Sequence, residues 1–169
     1  MKRKLTASLL VLLIGLSSLG SAACDRDQVR QTREAAERLI IYSEAGIHII
    51  EELKESGALT GGLEEPSGIA LRGLALIRDT TQAFVERAKG YVKFDPSSRA
   101  DLAQAFTDVT TALKELQPQV ELVARRVIEV LNANRITAIK DPGAIVRRLN
   151  LAVTVLNTSA RLIQARIRP

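Results

Sequence analysis

The chain of 169 residues contains one cysteine, Cys24, and one histidine, His48, and these two side chains are the first candidates for chemistry. Glu44 and Glu52 lie one helical turn from His48, so either carboxylate could form an acid–base pair with the imidazole. A catalytic site would also need a nucleophile and an oxyanion site, and the sequence near His48 offers neither. We therefore interpret His48 as a surface ion-pair residue and predict that the protein is not an enzyme.

The sequence predicts neither a metal nor a cofactor. Di-iron helical bundles need a Glu-x-x-His motif on each of two helices, whereas Ala45 lies three residues before the only histidine. The glycine-rich stretch "TGGLEEPSG" (60–68) lacks the Lys-Ser/Thr ending of a phosphate-binding loop. We expect no catalytic residue, no metal and no cofactor.

Residues 1–23 have the three-part layout of a secretory signal. The basic start "MKRK" precedes the apolar stretch "SLLVLLIGL" and the small-residue stretch "SSLGSAA". The end of this segment, "GSAAC" (20–24), resembles the lipobox of bacterial lipoproteins, although Ser21 stands where that family usually has Leu. The resemblance implies a signal peptide over 1–23, with acyl chains such as palmitate attached to Cys24 as the first mature residue. Several acyl chains give stable anchoring where one chain is marginal.

Two other interpretations of this segment stay open. Ordinary signal cleavage after Ala23 would leave a free thiol on Cys24. A retained segment from Leu5 to Ala23 would be close to the minimum length for a membrane span. The lipoprotein interpretation places the chain in the bacterial cell envelope, anchored to a membrane and facing the periplasm or the exterior.

The charge balance argues against a nucleic-acid-binding protein. The formal net charge is +5, but three of the 24 basic residues lie within 1–23 and that segment carries no acid. The remaining 21 basic and 19 acidic residues leave only +2 on residues 24–169. Nucleic-acid-binding domains usually show a much stronger basic surface, so we expect no nucleic-acid partner.

Helical periodicity dominates the rest of the sequence. Apolar residues recur at three- and four-residue spacing over 29–53, 70–91, 102–130 and 145–163, which predicts four amphipathic helices. The stretch 55–68 interrupts the first pattern, so the first helix is expected to end near Ser56. Asp141 before Pro142 is a helix start signal, and Ser98 with Asp101 resembles a capping box. With 46% apolar and only 3% aromatic residues, the core must be built mainly from aliphatic side chains.

Pro118 falls inside the third apolar pattern. A proline removes one backbone hydrogen bond, but the stripe continues in phase across it, so we predict one long helix kinked at Pro118. The short connections favour antiparallel neighbours. The predicted fold is all-α, an up-down-up-down four-helix bundle over 29–169, joined to the lipidated cysteine by a short tether (24–28).

This topology places the start of the first helix, the 92–97 loop and the C-terminus at one end, near the membrane. The segments 25–33, 87–101 and 161–169 carry +1, +2 and +3, which makes that end basic. We hypothesise that it rests on anionic lipid; the alternative is that these are solubilising cations at helix ends. The predicted membrane-proximal basic residues are Arg26, Arg30, Arg33, Lys89, Lys93, Arg99, Arg161, Arg166 and Arg168.

The opposite end combines an acidic stretch, 51–65, with a basic one, 125–148. Surface ion pairs within the chain are one interpretation, and a docking surface for another envelope protein, using Arg125, Arg126, Arg147 and Arg148, is the other. We predict a non-enzymatic envelope lipoprotein whose bundle is an interaction or structural module. The alternative is a carrier or sensor that binds a hydrophobic ligand between helices, in a cavity lined by Gly46 and Gly73.

Overall fold

The computed structural model describes the backbone of residues 3–133, 139 and 141–168, and side chains from residue 27 onward. Within this part of the chain all regular secondary structure is helical, which confirms the all-α prediction. The helices are α1 (Arg3–Glu55), α2 (Glu64–Lys89), α3 (Pro96–Ala105), α4 (Thr107–Ala133) and α5 (Pro142–Ile167). The side chains of Cys24 and Arg26 lie outside the described residues.

Helix α1 includes residues 24–28, the segment predicted to be the tether, and ends one residue before Ser56, close to the predicted position. A glycine-containing loop follows, in which Gly57, Gly61 and Gly62 adopt positive φ angles of 74°, 63° and 88°. These left-handed conformations are strained for residues with a Cβ atom, so the glycines allow the tight reversal. Helix α2 then begins at Glu64, earlier than its apolar stripe indicates.

The third predicted helix is two helices in the structure, so the prediction of a single helix is wrong at Phe106. Pro118 lies inside α4, and the helix continues through it as predicted. Phe106 separates α3 from α4, although its N–H still donates to the carbonyls of Leu102 and Ala103. The buried Phe106 ring packs against Phe84 with ring centroids 5.2 Å apart. This aromatic contact lies at the junction between the two helices.

The two predicted caps have different outcomes. Asp141 caps α5 as expected, because its carboxylate accepts a hydrogen bond from the N–H of Ala144 at 2.8 Å. The capping box at Ser98 is wrong, since the cap of α3 is Asp95, which accepts from the N–H of Ser98 at 2.8 Å. Pro96 therefore occupies the first helical turn, where its missing N–H costs no helical hydrogen bond.

The helix contacts fit a bundle. Helix α1 packs against α2 and α5, and α4 packs against the same two helices. The buried residues are mainly Leu, Ile, Val and Ala, with Phe84, Phe94 and Phe106 as the buried aromatics. Thr81 is fully buried on α2, and its hydroxyl has no hydrogen-bond partner among the described residues.

Two glycines lie where helices meet. A Cβ atom added to Gly46 on α1 would lie 3.0 Å from Cδ1 of Leu74 on α2. The Leu74 side chain is buried, so little space exists into which it can move. A Cβ atom on Gly73 would instead meet the side chain of Leu116 at 3.6 Å, an ordinary van der Waals distance. The close approach of α1 and α2 at Gly46 therefore requires a residue without a side chain. The packing of Leu116 against Gly73 has no such requirement.

This difference predicts opposite effects of two alanine substitutions. Gly73→Ala should stabilise the protein by about 0.5–1 kcal/mol, because alanine restricts the unfolded chain and favours the helix. Gly46→Ala makes the same backbone gain but overpacks the contact with Leu74, which typically costs about 1–3 kcal/mol. Urea unfolding of both variants measures the difference. A Gly46→Ala variant as stable as Gly73→Ala would contradict the close packing.

Candidate functional site

One arginine connects three segments that are far apart in the sequence. The Arg99 side chain donates from Nε to the carbonyl of Phe94 at 3.1 Å. Its Nη2 donates to Oε1 of Gln28 at 3.3 Å, and its Nη1 donates to the carbonyl of Arg168 at 3.4 Å. The segment of α1 around Gln28, the loop before α3 and the end of α5 therefore meet around one guanidinium group.

Surface grooves at this end involve the same segments. Val92, in the loop after α2, lines one groove together with Val29 and Arg33 of α1. A second groove, of about 170 Å³, lies between Phe106 and Ile167, where the junction of α3 and α4 faces the end of α5. These contacts define the basic end as residues 27–34, 87–101 and 161–168.

The nine cations predicted for this end have different environments. Arg30 forms ion pairs with Asp27 and Glu34, and Lys89 pairs with Glu86. Arg99 is half-buried in the three-way contact, so it is a structural residue rather than a free surface cation.

Apart from Arg26, which lies outside the described side chains, the other predicted cations carry no ion pair to any described residue. Arg33 is half-buried, and its Nε is buried without a hydrogen-bond partner in the described part of the chain. Lys93, Arg161 and Arg168 are exposed, and Arg166 is half-exposed beside α1. The excess positive charge of the basic end is therefore concentrated on the 92–93 loop and the last two turns of α5.

The loop before α3 is organised by two carboxylates. The pKa of Asp95 lies below its usual value, chiefly because its carboxylate accepts the backbone N–H of Ser98 and also the Ser97 hydroxyl. Asp101 accepts a hydrogen bond from the Tyr91 hydroxyl at 2.9 Å and lies 3.4 Å from Nε of Arg87. The hydrogen bond to Asp101 raises the pKa of Tyr91. Asp101 thus links α2 to α3 and does not cap a helix.

Each arginine predicted as a docking residue at the opposite end has a partner within the chain. Arg126 donates to the carbonyl of Gly61 at 3.1 Å, which attaches the glycine loop to α4. Arg148 lies 3.5 Å from a carboxylate oxygen of Glu52 on α1. Arg147 pairs with Asp141, and Nε of Arg125 donates to the carbonyl of Glu121. These side chains are exposed, and their contacts are those of a surface network.

His48 is exposed, and the carboxylate beside it is Glu51, at 3.6 Å from Nδ1, rather than Glu44 or Glu52. That spacing is a surface pair within one helix. Among residues with described side chains, no cluster of three or more His, Cys, Asp or Glu could hold a metal ion.

A ligand bound between the helices would need a cavity beside Gly46 and Gly73. Leu74 fills the position beside Gly46. Gly73 lines a surface groove between α2 and α4, together with Leu76 and Leu116. The two glycines therefore do not face one shared cavity in the structure.

Comparison with protein-family models, curated proteins and solved structures finds no match to this chain. No helix among the described residues is both long enough and apolar enough to cross a bilayer.

The three-way contact of Arg99 leads to a direct prediction. Arg99→Met should destabilise the protein by about 1 kcal/mol, because it removes charge-assisted hydrogen bonds to groups of three segments. Arg99→Lys should lose most of the same stability, since one ammonium group cannot reach acceptors in three directions. Urea unfolding measures both effects, and amide hydrogen exchange over residues 91–98 should become faster.

Arg161→Met is the matched control, because Arg161 is an exposed arginine with no ion pair to a described residue. Its stability should equal that of the unmodified protein. An Arg99→Met variant that unfolds at the same urea concentration as this control would show that the contact does not hold the segments together.

Proposed function

We propose that the protein is a lipid-anchored component of the bacterial cell envelope. Its helical bundle acts as a structural or interaction module, it has no catalytic site, and it faces the periplasm or the exterior. The observation that carries this proposal is the position of Cys24. The cysteine follows a signal-like segment directly, and Val29, only five positions later, is already a buried core residue.

The helical state of residues 24–28 supports a short attachment. Five helical residues span about 7.5 Å, so an acyl anchor at Cys24 would hold the first core residues of α1 next to the bilayer. The basic end contains residues 27–34 of α1, which closely follow Cys24, and would therefore be the membrane-proximal end. Lipid anchoring and bundle orientation are thus coupled through α1.

We further propose that the four long helices follow an up-down-up-down order. The contact of Arg99 with Gln28 and Arg168 supports this order at one end. The contacts of Arg126 with Gly61 and of Arg148 with Glu52 support it at the other end. In this arrangement the loop 56–63 and the start of α5 point away from the membrane.

A structural or interaction module is a better fit to the packing than a ligand carrier. Leu74 occupies the space beside Gly46. The buried hydroxyl of Ser43 on α1 donates a hydrogen bond to the carbonyl of Leu39 and so is not left for a ligand. The exposed large apolar side chains lie on different helices and loops rather than in one groove. They are Ile41, Leu76, Val92, Ile128, Leu151 and Leu162.

Metabolic labelling tests the anchor. The full chain, expressed in bacteria with an alkyne fatty acid, should incorporate the label and stay in the membrane fraction. Its mass should show a protein that begins at Cys24. Cys24→Ser should abolish labelling, because serine cannot form the thioether.

Ser18→Ala is the control for this experiment, since it changes the same signal segment without altering "GSAAC". It should be labelled like the unmodified chain. An unmodified mature protein recovered from the aqueous phase with a free thiol on Cys24 would disprove the proposal.

A further inference from the structure

Some charged side chains of the basic end are paired with each other, and others have no partner among the described residues. The carboxylates of Asp27, Glu34, Glu86 and Asp101 each lie beside an arginine or lysine of the same end. Asp95 is engaged as the cap of α3. Glu37, just beyond the basic end, is exposed without an ion pair to a described residue, and Arg33 lies one turn earlier on α1.

Besides Arg33, four cations of the basic end have neither an ion pair nor an internal side-chain hydrogen bond to a described residue, and they lie on both sides of α1. Lys93 follows α2, in the loop that faces Val29 and Arg33. Arg166 lines a groove with Gln31 and Glu34 on the other side of α1. Arg161 is exposed on the same helix, α5, and Arg168 directly follows α5. The positive charge therefore flanks the part of α1 that follows Cys24.

Val92 adds an apolar element to this surface. Its side chain is 72% exposed, the largest exposed fraction among the large hydrophobic side chains described. It lies beside Lys93 at the outer edge of the bundle end, in a loop rather than on a packed helix face. An apolar side chain next to cations suits the boundary between headgroups and acyl chains, where both can be accommodated.

We propose that this end of the bundle docks on anionic phospholipid. The cations of Lys93, Arg161, Arg166 and Arg168 contact the headgroups, and Val92 enters the interface. The occupant is a lipid surface because the unbalanced charge is positive and the surface adjoins the residue that carries the anchor. This inference rests on the proposed acylation of Cys24.

Fluorescence of the acylated protein tests the contact. In the acylated chain the thiol of Cys24 is blocked, so a Val92→Cys variant can be labelled at one site with an environment-sensitive dye. In vesicles containing phosphatidylglycerol the dye should shift to the blue and become severalfold less accessible to aqueous iodide. A label at Glu55→Cys, roughly 40 Å away along α1, should show neither change.

The role of charge is tested with two triple variants. Arg161→Gln, Arg166→Gln and Arg168→Gln together should return iodide quenching of the Val92→Cys label to its value in pure phosphatidylcholine vesicles. The matched control removes the same charge from exposed residues elsewhere, through Lys54→Gln, Arg72→Gln and Lys114→Gln, and should leave the protection unchanged.

The outcomes separate the two proposals. If mass spectrometry shows acylated Cys24 but the dye at residue 92 is as accessible as the dye at residue 55, the docking inference is wrong and the anchor stands. Equal protection of residue 92 in anionic and neutral vesicles would also refute the electrostatic contact. A chain without any acyl group would refute both proposals.

Discussion

The contact that joins the segments of the basic end is the one that Arg99 makes with Gln28, Phe94 and Arg168. A guanidinium group can donate in several directions at once, and here its acceptors belong to segments separated by about 70 residues on either side. The contact connects helix ends that lie together in the bundle. It also removes Arg99 from the cations that can face outward, because its guanidinium group is used inside the chain.

The core of the bundle is stabilised by aliphatic packing, which leaves most polar contacts at its two ends. Aliphatic side chains fill it, and Gly46 allows Leu74 to approach α1 closely, so the helices gain stability from packing rather than from a polar network. Polar groups with described partners lie mostly at the two ends, where Arg99 and Arg126 attach loops to helices. Such a packing leaves the ends and outer faces of the bundle as the surfaces that can contact other molecules, as the proposed function requires.

The helices could be predicted because apolar residues at three- and four-residue spacing have only one way to be buried together. Helix continuity through Pro118 and the cap at Asp141 follow from local chemistry in the same way. The break at Phe106 could not be predicted, since it coincides with a contact to Phe84 that is distant in sequence. The partners of Arg99 likewise depend on tertiary structure. From its charge alone, this residue was predicted to be a free surface cation.

Neutron reflectometry of the acylated protein on a supported anionic bilayer measures most directly whether the bundle is held by its basic end. The part of α1 from Asp27 to Glu55 is roughly 40 Å long, so a bundle standing on that end should form a protein layer of about this thickness. A bundle lying on its side would give a layer of roughly 20–25 Å, the width of two packed helices. The thicker layer is expected, and the thinner one would contradict attachment through the basic end.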